Sequence, residues 1–492
     1  MAYAVLVGMQ RGLGLLLLPI YAAALPPGEY GQIALLVSIT TVLGVLLGFG
    51  LESAVVRFIV QLSPHPAERR RFVNTVGLFA LLAPFLGAVA VAGILAVGTE
   101  PGALAGAGLD ALVFALVGMA VQTTVTVFIG AALWADERLQ AFGAVTLAQA
   151  IGNQALTLTL VVGLHLGPVG WFAGTLLGAV LSLVIGLRLM DHRWSAEFDP
   201  RYLWSALVFG IPLLPHMVSH WVLSLSDRMI LSAFVGAGEL GVYTVAYQLA
   251  SIIGLGASAM RRGLMPLYAG ASDKPDVREG LSRYSTYQVH GTLIAGLAVA
   301  LLGPPAVLLL LPAAYAAAGG LMPWIALGYV LFGLCLIPTD SITLMLGQTR
   351  WLWVATAVAG ASNVVLNLVF VPLIGVMAAA VNTAVGYGIL LLGMVAYRRV
   401  LTGPRLRYET SRMAAGVAVV ALAALVGLLI PTEESAITAL LARLAVVAAA
   451  SIVLVAAHLT IWRRPPGGGG RGSSHDSEAW AGEPTVATGP QP

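Results

Sequence analysis

The chain has 492 residues, 59% of them hydrophobic and 10% charged, with a mean hydropathy of +0.92. Soluble domains carry about 25% charged residues, so this composition excludes a water-soluble globular protein. A single cysteine, Cys335, excludes an intrachain disulfide framework and a cysteine metal cluster, and a net charge of +3 marks no nucleic-acid partner.

Apolar runs of about 20 residues recur along the whole length, as a polytopic helical membrane protein requires. They predict fourteen spans, at roughly 4–25, 32–60, 72–98, 109–134, 139–164, 169–190, 202–234, 240–264, 285–311, 321–346, 350–372, 375–397, 412–430 and 438–462. Span one has no basic residue ahead of it and holds Arg11 inside, so it is expected to be retained despite the cleavage-like Ala22–Ala24. Span seven carries Pro212 and Pro215 and is expected to be kinked or broken. The loop at about 99–110 is the longest predicted to face outward, too short for a catalytic domain. The stretch 463–492 is rich in Gly, Pro and Ser without apolar period and is expected to be a disordered tail.

Loop charge orients these spans. Arg69, Arg70 and Arg71 follow span two, Arg138 follows span four, and basic residues follow every later even-numbered span. The loops after odd-numbered spans carry acids such as Glu29, Glu100 and Asp110, and no Lys or Arg. The positive-inside rule then places both termini in the cytoplasm.

A repeat is visible at an offset of 210 residues. Gly28-Glu29-Tyr30-Gly31 follows span one, and Gly238-Glu239-Leu240-Gly241 follows span seven. The same offset relates Asn153 to Asn363 and Arg188 to Arg398. Two six-helix lobes are expected, spans 1–6 (residues 1–190) and spans 7–12 (residues 202–397), with spans 13–14 (residues 412–462) appended. Six is even, so the halves run parallel, an arrangement in which substrate binds between them.

Ionisable residues inside the spans are few: Arg11, Glu52, Arg57, Asp227, Arg228, Arg261, Arg262, Asp340 and Arg443. Each costs about 2.5–3.5 kcal/mol at a lipid-facing helix centre on insertion scales, so they should point inward. Cations outnumber acids among them, which suits an anionic ligand, and the arginine fork suits phosphate oxygens. Along span seven, His216, His220, Ser224 and Asp227 fall on one helical face beside Arg228. Asp227 with Arg228 reads either as a self-neutralised packing pair or as part of a cavity wall. His216 and His220 have metal-pair spacing without an evident third ligand, so no metal is expected, and they and the two aspartates are the coupling-ion candidates. In span eight, Tyr243 and Tyr247 suit a sugar, with boundary anchoring as the bland alternative. Gln149, Asn153, Gln154, Asn363, Asn367 and Asn382 read first as interhelical hydrogen-bond glue. There is no G-x4-G-K-[ST], and the single lysine, Lys274, lies in a loop, so no P-loop hydrolysis, cofactor or enzymatic constellation is expected.

Four segments carry a resemblance: LPPGEYGQIALLVSI at 25–39 with GFGLESAVVRFIV at 48–60, FGIPLLPHMVSHWVLSLSDRMILSAFVGAGELGVYTVAYQLA at 209–250, MLGQTRWLW at 345–353, and NVVLNLVFVPLIGVMAAAVNT at 363–383. With them the chain resembles the polysaccharide transport family, the O-antigen and exopolysaccharide flippases, in the superfamily that also holds MATE exporters and the lipid II flippase. The resemblance implies fourteen helices in two lobes around a cationic cavity, in a bacterial inner membrane. It implies export of a polyprenyl-diphosphate-linked oligosaccharide, with Arg11, Asp227, Arg228, Arg261 and Arg262 as cavity candidates; with Arg57, Tyr243 and Tyr247 from the reading of the spans above, these are the substrate-binding candidates of a transporter expected to work by alternating access. Membrane lipids, a polysaccharide polymerase and glycosyltransferases would be its partners, and a monomer is expected. The rivals are a MATE-like drug or metabolite antiporter and a membrane glycosyltransferase or polymerase.

Overall fold

The computed structural model describes residues 2–98, 106, 108–190, 192, 194, 195, 197–271, 274–431 and 435–462, and for 2–11, 95–98, 276 and 459–462 the backbone alone. The stretch 463–492, most of the loop at 99–110 and the side chain of Arg11 lie outside the described residues.

In chain order the helices are α1 (Ala2–Ala24), α2 (Pro27–Leu47), α3 (Leu51–Gln61), α4 (Pro66–Gly98), α5 (Leu109–Thr124), α6 (Ala131–Ala135), α7 (Leu139–Leu158), α8 (Gly167–Leu189), α9 (Pro200–Gly210), α10 (Leu214–Phe234), α11 (Ala237–Ala250), α12 (Ile252–Gly270), α13 (Pro275–Leu310), α14 (Ala318–Asp340), α15 (Leu352–Ile374), α16 (Val376–Val400), α17 (Thr410–Leu428) and α18 (Ala436–Trp462). Taken together where one runs into the next, they give thirteen helices long and apolar enough to cross a membrane, and Gly12–Ala24 is a further short apolar helix. There is no strand among the described residues. The protein is an all-α multi-pass membrane protein.

Span seven is broken as its prolines require. Pro212 has no N–H to give to the preceding turn, and a 3₁₀ turn at Ile211–Leu213 separates α9 from α10. Span two is also broken, which its apolar pattern did not announce. Phe49 and Gly50 both have positive φ, 49° and 64°, and divide α2 from α3. The two breaks touch: a Cβ on Gly50 would stand 2.3 Å from the carbonyl oxygen of Gly210, and one on Gly210 the same distance from that of Phe49.

The repeat seen in the sequence recurs in the helix boundaries. The starts of α2 and α11, α4 and α13, α5 and α14, and α8 and α16 are 209 or 210 residues apart. A π-helical turn follows α5 at Val125–Gly130 and α14 at Ser341–Met345. The helices α17 and α18 attach to α13, where His290 Nδ1 lies 2.7 Å from His458 Nε2 and its Nε2 lies 3.1 Å from the carbonyl of Arg412.

The two halves meet at the repeated Gly-Glu turns. A Cβ on Gly31 would stand 1.8 Å from the carbonyl oxygen of Ala237, and one on Gly241 would stand 1.9 Å from that of Pro27. Only glycine lets α2 and α11 approach this closely. Around this crossing Tyr30 donates to Gln248 Oε1 at 2.6 Å and Tyr315 donates to the carbonyl of Leu25 at 2.8 Å. Burial, with Glu29 as a smaller effect, pushes the Tyr315 hydroxyl pKa upward, so it remains a donor at neutral pH. Deeper in, Trp221 of α10 donates to the carbonyl of Ser38 on α2 at 3.2 Å.

Because the clash at Gly31 is with backbone, no rotamer relieves it. Gly31→Val is therefore expected to part the halves at this end. A cysteine placed at the buried Ala34, in a Cys335→Ser background, should react with a polar maleimide several-fold faster when Gly31→Val is added. Equal rates with and without that substitution would show that the crossing does not hold this end shut.

Candidate functional site

The polar stripe of α10 runs from the protein surface into its core. His216 is exposed, His220 and Ser224 border a cavity, and Asp227 and Arg228 are buried. Arg228 Nη1 donates to Asp227 Oδ1 at 2.9 Å and to the carbonyl of Ser224 at 3.1 Å. Its guanidinium stands 4.3 Å from the centre of the Tyr247 ring. The other oxygen of Asp227 accepts from the hydroxyl of Tyr243. All three groups are thereby satisfied out of water, as buried charges must be.

Asp227, Arg228 and Tyr243 are not among the residues lining the cavities described below. The Asp227 and Arg228 side chains are 3% and 7% exposed, and Tyr243 is 0% exposed. The contacts of the pair are thus with each other, the Ser224 carbonyl, Tyr243 and the Tyr247 ring, the arrangement that the packing reading of the pair expects. Tyr247, in contrast, presents its ring to the cavity beneath Arg228.

That cavity has a volume of about 700 Å³ and lies among α10, α11, α12, α14 and α16, with Gly14 and Leu15 of α1 on one side. Arg261 and Arg262 on α12 both reach it. Arg261 grips Asp340 at the end of α14 with Nε at 2.8 Å and Nη2 at 2.7 Å from Oδ1. Arg262 has no ion-pair partner among the described residues, so the cavity keeps one uncompensated guanidinium. Tyr247, Tyr329, Phe332 and Tyr387 form an aromatic wall. Arg11 sits on α1 one turn before Gly14, on the helix that borders this cavity.

A second cavity, of about 710 Å³, lies in the first half among α3, α5, α6 and α7. Glu52, Arg57, Gln122 and Gln149 line it, with Trp134 and Phe142 in edge contact at 5.6 Å between ring centres. Arg57 stacks over Phe209 of α9 at 4.6 Å. A smaller chamber of about 360 Å³ shares Glu52, Gln122 and Thr126 with it and reaches Met217 of α10. The π-helical turn at Val125–Gly130 shapes this wall, and the matching turn at Ser341–Met345 begins next to Asp340. Such turns widen a helix and frequently mark functional sites. Their irregular hydrogen bonding leaves no signature in an apolar sequence.

The amides divide. Asn363, Asn367 and Asn382 form a closed relay of 3.1 Å hydrogen bonds between α15 and α16, and Tyr21 donates to Gln154 Oε1 at 3.0 Å across α1 and α7. These are glue. Gln149 and Asn153 differ: the buried Gln149 amide nitrogen and the buried Asn153 Oδ1 have no partner among the described residues. No group of three or more His, Cys, Asp or Glu among the described residues could hold a metal ion.

Residues 1–269 match the sequence model of a family described as polysaccharide biosynthesis protein. No curated protein matches the chain in sequence. In fold it is similar to the lipid II flippase MurJ in an inward closed conformation, at 14% identity and a TM-score of 0.75, over 94% of this chain and 99% of that one. It is also similar to an inward-facing multidrug resistance MATE family transporter of the MOP superfamily, at 14% identity and a TM-score of 0.66, over 84% and 96%. A third likeness is to a MOP superfamily transporter from Pyrococcus furiosus, at 17% identity and a TM-score of 0.57, over 85% and 96%.

If the Asp227–Arg228 pair acts in packing, Asp227→Ala strands a buried cation and should cost about 3–5 kcal/mol, read as a lower thermal unfolding midpoint in detergent. Asp227→Ala with Arg228→Met removes both charges and should recover most of that loss. A double variant as unstable as the single one would overturn the packing role.

Proposed function

The chain belongs to the polysaccharide biosynthesis protein family, and from that premise we propose that it flips a polyprenyl-diphosphate-linked oligosaccharide from the cytoplasmic to the outer leaflet. The observation that carries this reading is the uncompensated Arg262 in a cavity of about 700 Å³, beside Arg261 held by Asp340. A planar guanidinium donates in parallel to two phosphate oxygens, and a desolvated pocket strengthens each such bond. In this reading Arg262 takes the diphosphate, Arg261 assists, and Arg11 on α1 faces the same task from the first half. The polyprenyl tail stays in lipid and moves along a lateral gap.

Transport follows from two related halves rocking about a ligand bound between them. With both termini cytoplasmic in a bacterial inner membrane, the Gly31–Gly241 crossing is the outer seal, and it must part for release. Among the coupling candidates, His220 borders the cavity and Asp340 is bonded to Arg261, which does, so a proton or cation bound at either can sense the cargo. Asp227 is enclosed behind Arg228 and Tyr247, and His216 is on the surface and outside the cavity lining.

A MATE-like exporter of cationic drugs fits this site less well. It needs net negative charge where the ligand sits, and the acid nearest this cavity, Asp340, is bound to Arg261. A polymerase or glycosyltransferase is disfavoured because neither cavity presents paired carboxylates for group transfer.

Arg262→Ala removes a charge-assisted contact worth about 1.5–3 kcal/mol. In a strain whose surface polysaccharide depends on this protein, output should fall roughly tenfold or more at equal protein level. Undiminished polysaccharide would overturn the diphosphate grip, and efflux of cationic dyes by the purified protein in vesicles would favour the antiporter.

A further inference from the structure

The first-half cavity differs in chemistry from the one that holds Arg262. Its two charged residues, Glu52 and Arg57, are of opposite sign, so it has no net charge to hold a diphosphate. Gln122, Gln149, Thr126 and Thr146 supply amide and hydroxyl groups around one space. Trp134 is 42% exposed and meets Phe142 edge-on at 5.6 Å, which makes an aromatic wall beside those polar groups. Gln149 is 7% exposed and its amide nitrogen has no partner among the described residues. A buried amide donor without an acceptor is costly, and at a cavity wall it is placed to donate to an acceptor on a ligand. The volume of about 710 Å³ is within the range of about 300–1,000 Å³ typical of small-molecule sites.

Amides, hydroxyls and a carboxylate match the in-plane hydroxyls of a sugar, and an aromatic ring matches its C–H face. We infer that this cavity is a carbohydrate subsite that reads the first sugars of the cargo, separate from the place where the diphosphate is gripped. The inference rests on the flippase reading above. Its link to the other cavity is α10, whose Met217 borders the smaller first-half chamber and whose His220, one turn on, borders the Arg262 cavity.

The test uses the full-length purified protein in detergent and three probes: undecaprenyl diphosphate, and the same lipid bearing one hexose or one N-acetylhexosamine. Wild-type protein should bind at least one sugar-bearing lipid about tenfold tighter than the bare lipid. Gln149→Leu and, separately, Trp134→Ala should bring that ratio toward one while the bare lipid binds variant and wild type alike. Leucine keeps the volume of Gln149 and drops a donor that has no partner. Trp134 is exposed enough for its truncation to leave the fold intact, so it decides the matter if the first variant is unstable. Equal wild-type affinity for all three lipids, or an unchanged ratio in Trp134→Ala, would overturn the subsite. Failure of the bare lipid to bind, with retained binding of a sugar-bearing one, would support the subsite and overturn the diphosphate grip.

Discussion

An ionised side chain in a membrane-spanning bundle must find a partner or water, because its desolvation outweighs almost any single contact it can make. The described charges of this protein sort themselves by that rule. Arg228 is closed in by Asp227, the Ser224 carbonyl and the Tyr247 ring. Arg443 donates to the carbonyls of Leu301 and Ile430, and Arg398 to Ser341 and the carbonyl of Pro404. Arg261 is bound to Asp340. What is left over, Arg262 at one cavity and Glu52 with Arg57 at the other, stands where the bundle leaves open space. The candidate sites are therefore defined by what packing did not satisfy.

The second organising constraint is the backbone contact between halves. Gly31 and Gly241 occupy equivalent places in the repeat, and each meets a carbonyl of the other half. This contact is reciprocal, so one change on either side disturbs it. A seal made of backbone against backbone has little side-chain entropy to lose and no adjustable part. It is either closed or parted, which suits a protein proposed to alternate between two states. The neighbouring breaks at Gly50 and Pro212 are of the same kind: two helices interrupted at the same depth, touching where they bend.

The two cavities differ in chemistry. One is aromatic and cationic, the other neutral and rich in amides. The likeness to a flippase and to MATE transporters shows the fold they share. A shared fold does not fix what is carried, and under the proposed function the groups lining these two spaces would select the cargo.

The membrane class, nearly every helix, the break in span seven and the 210-residue repeat were legible in the sequence, because they depend on local quantities: apolar run length, proline, and motif spacing. The charges that need explaining were legible too, since any ionisable residue within an apolar run stands out. Their roles were not. Asp227 and Arg228 are adjacent in the chain, yet only packing reveals that Tyr243 bonds Asp227 and that the Tyr247 ring lies beside Arg228. Arg261 and Asp340 are 79 residues apart, and no local pattern pairs them. Gln149 reads as one more amide among the glue until the bundle is assembled and its nitrogen is left without an acceptor. The break at Phe49–Gly50 and the π-helical turns are likewise set by neighbours across the bundle. Composition decides which solvent each segment prefers, whereas partner and exposure are long-range facts that exist only once the helices are packed.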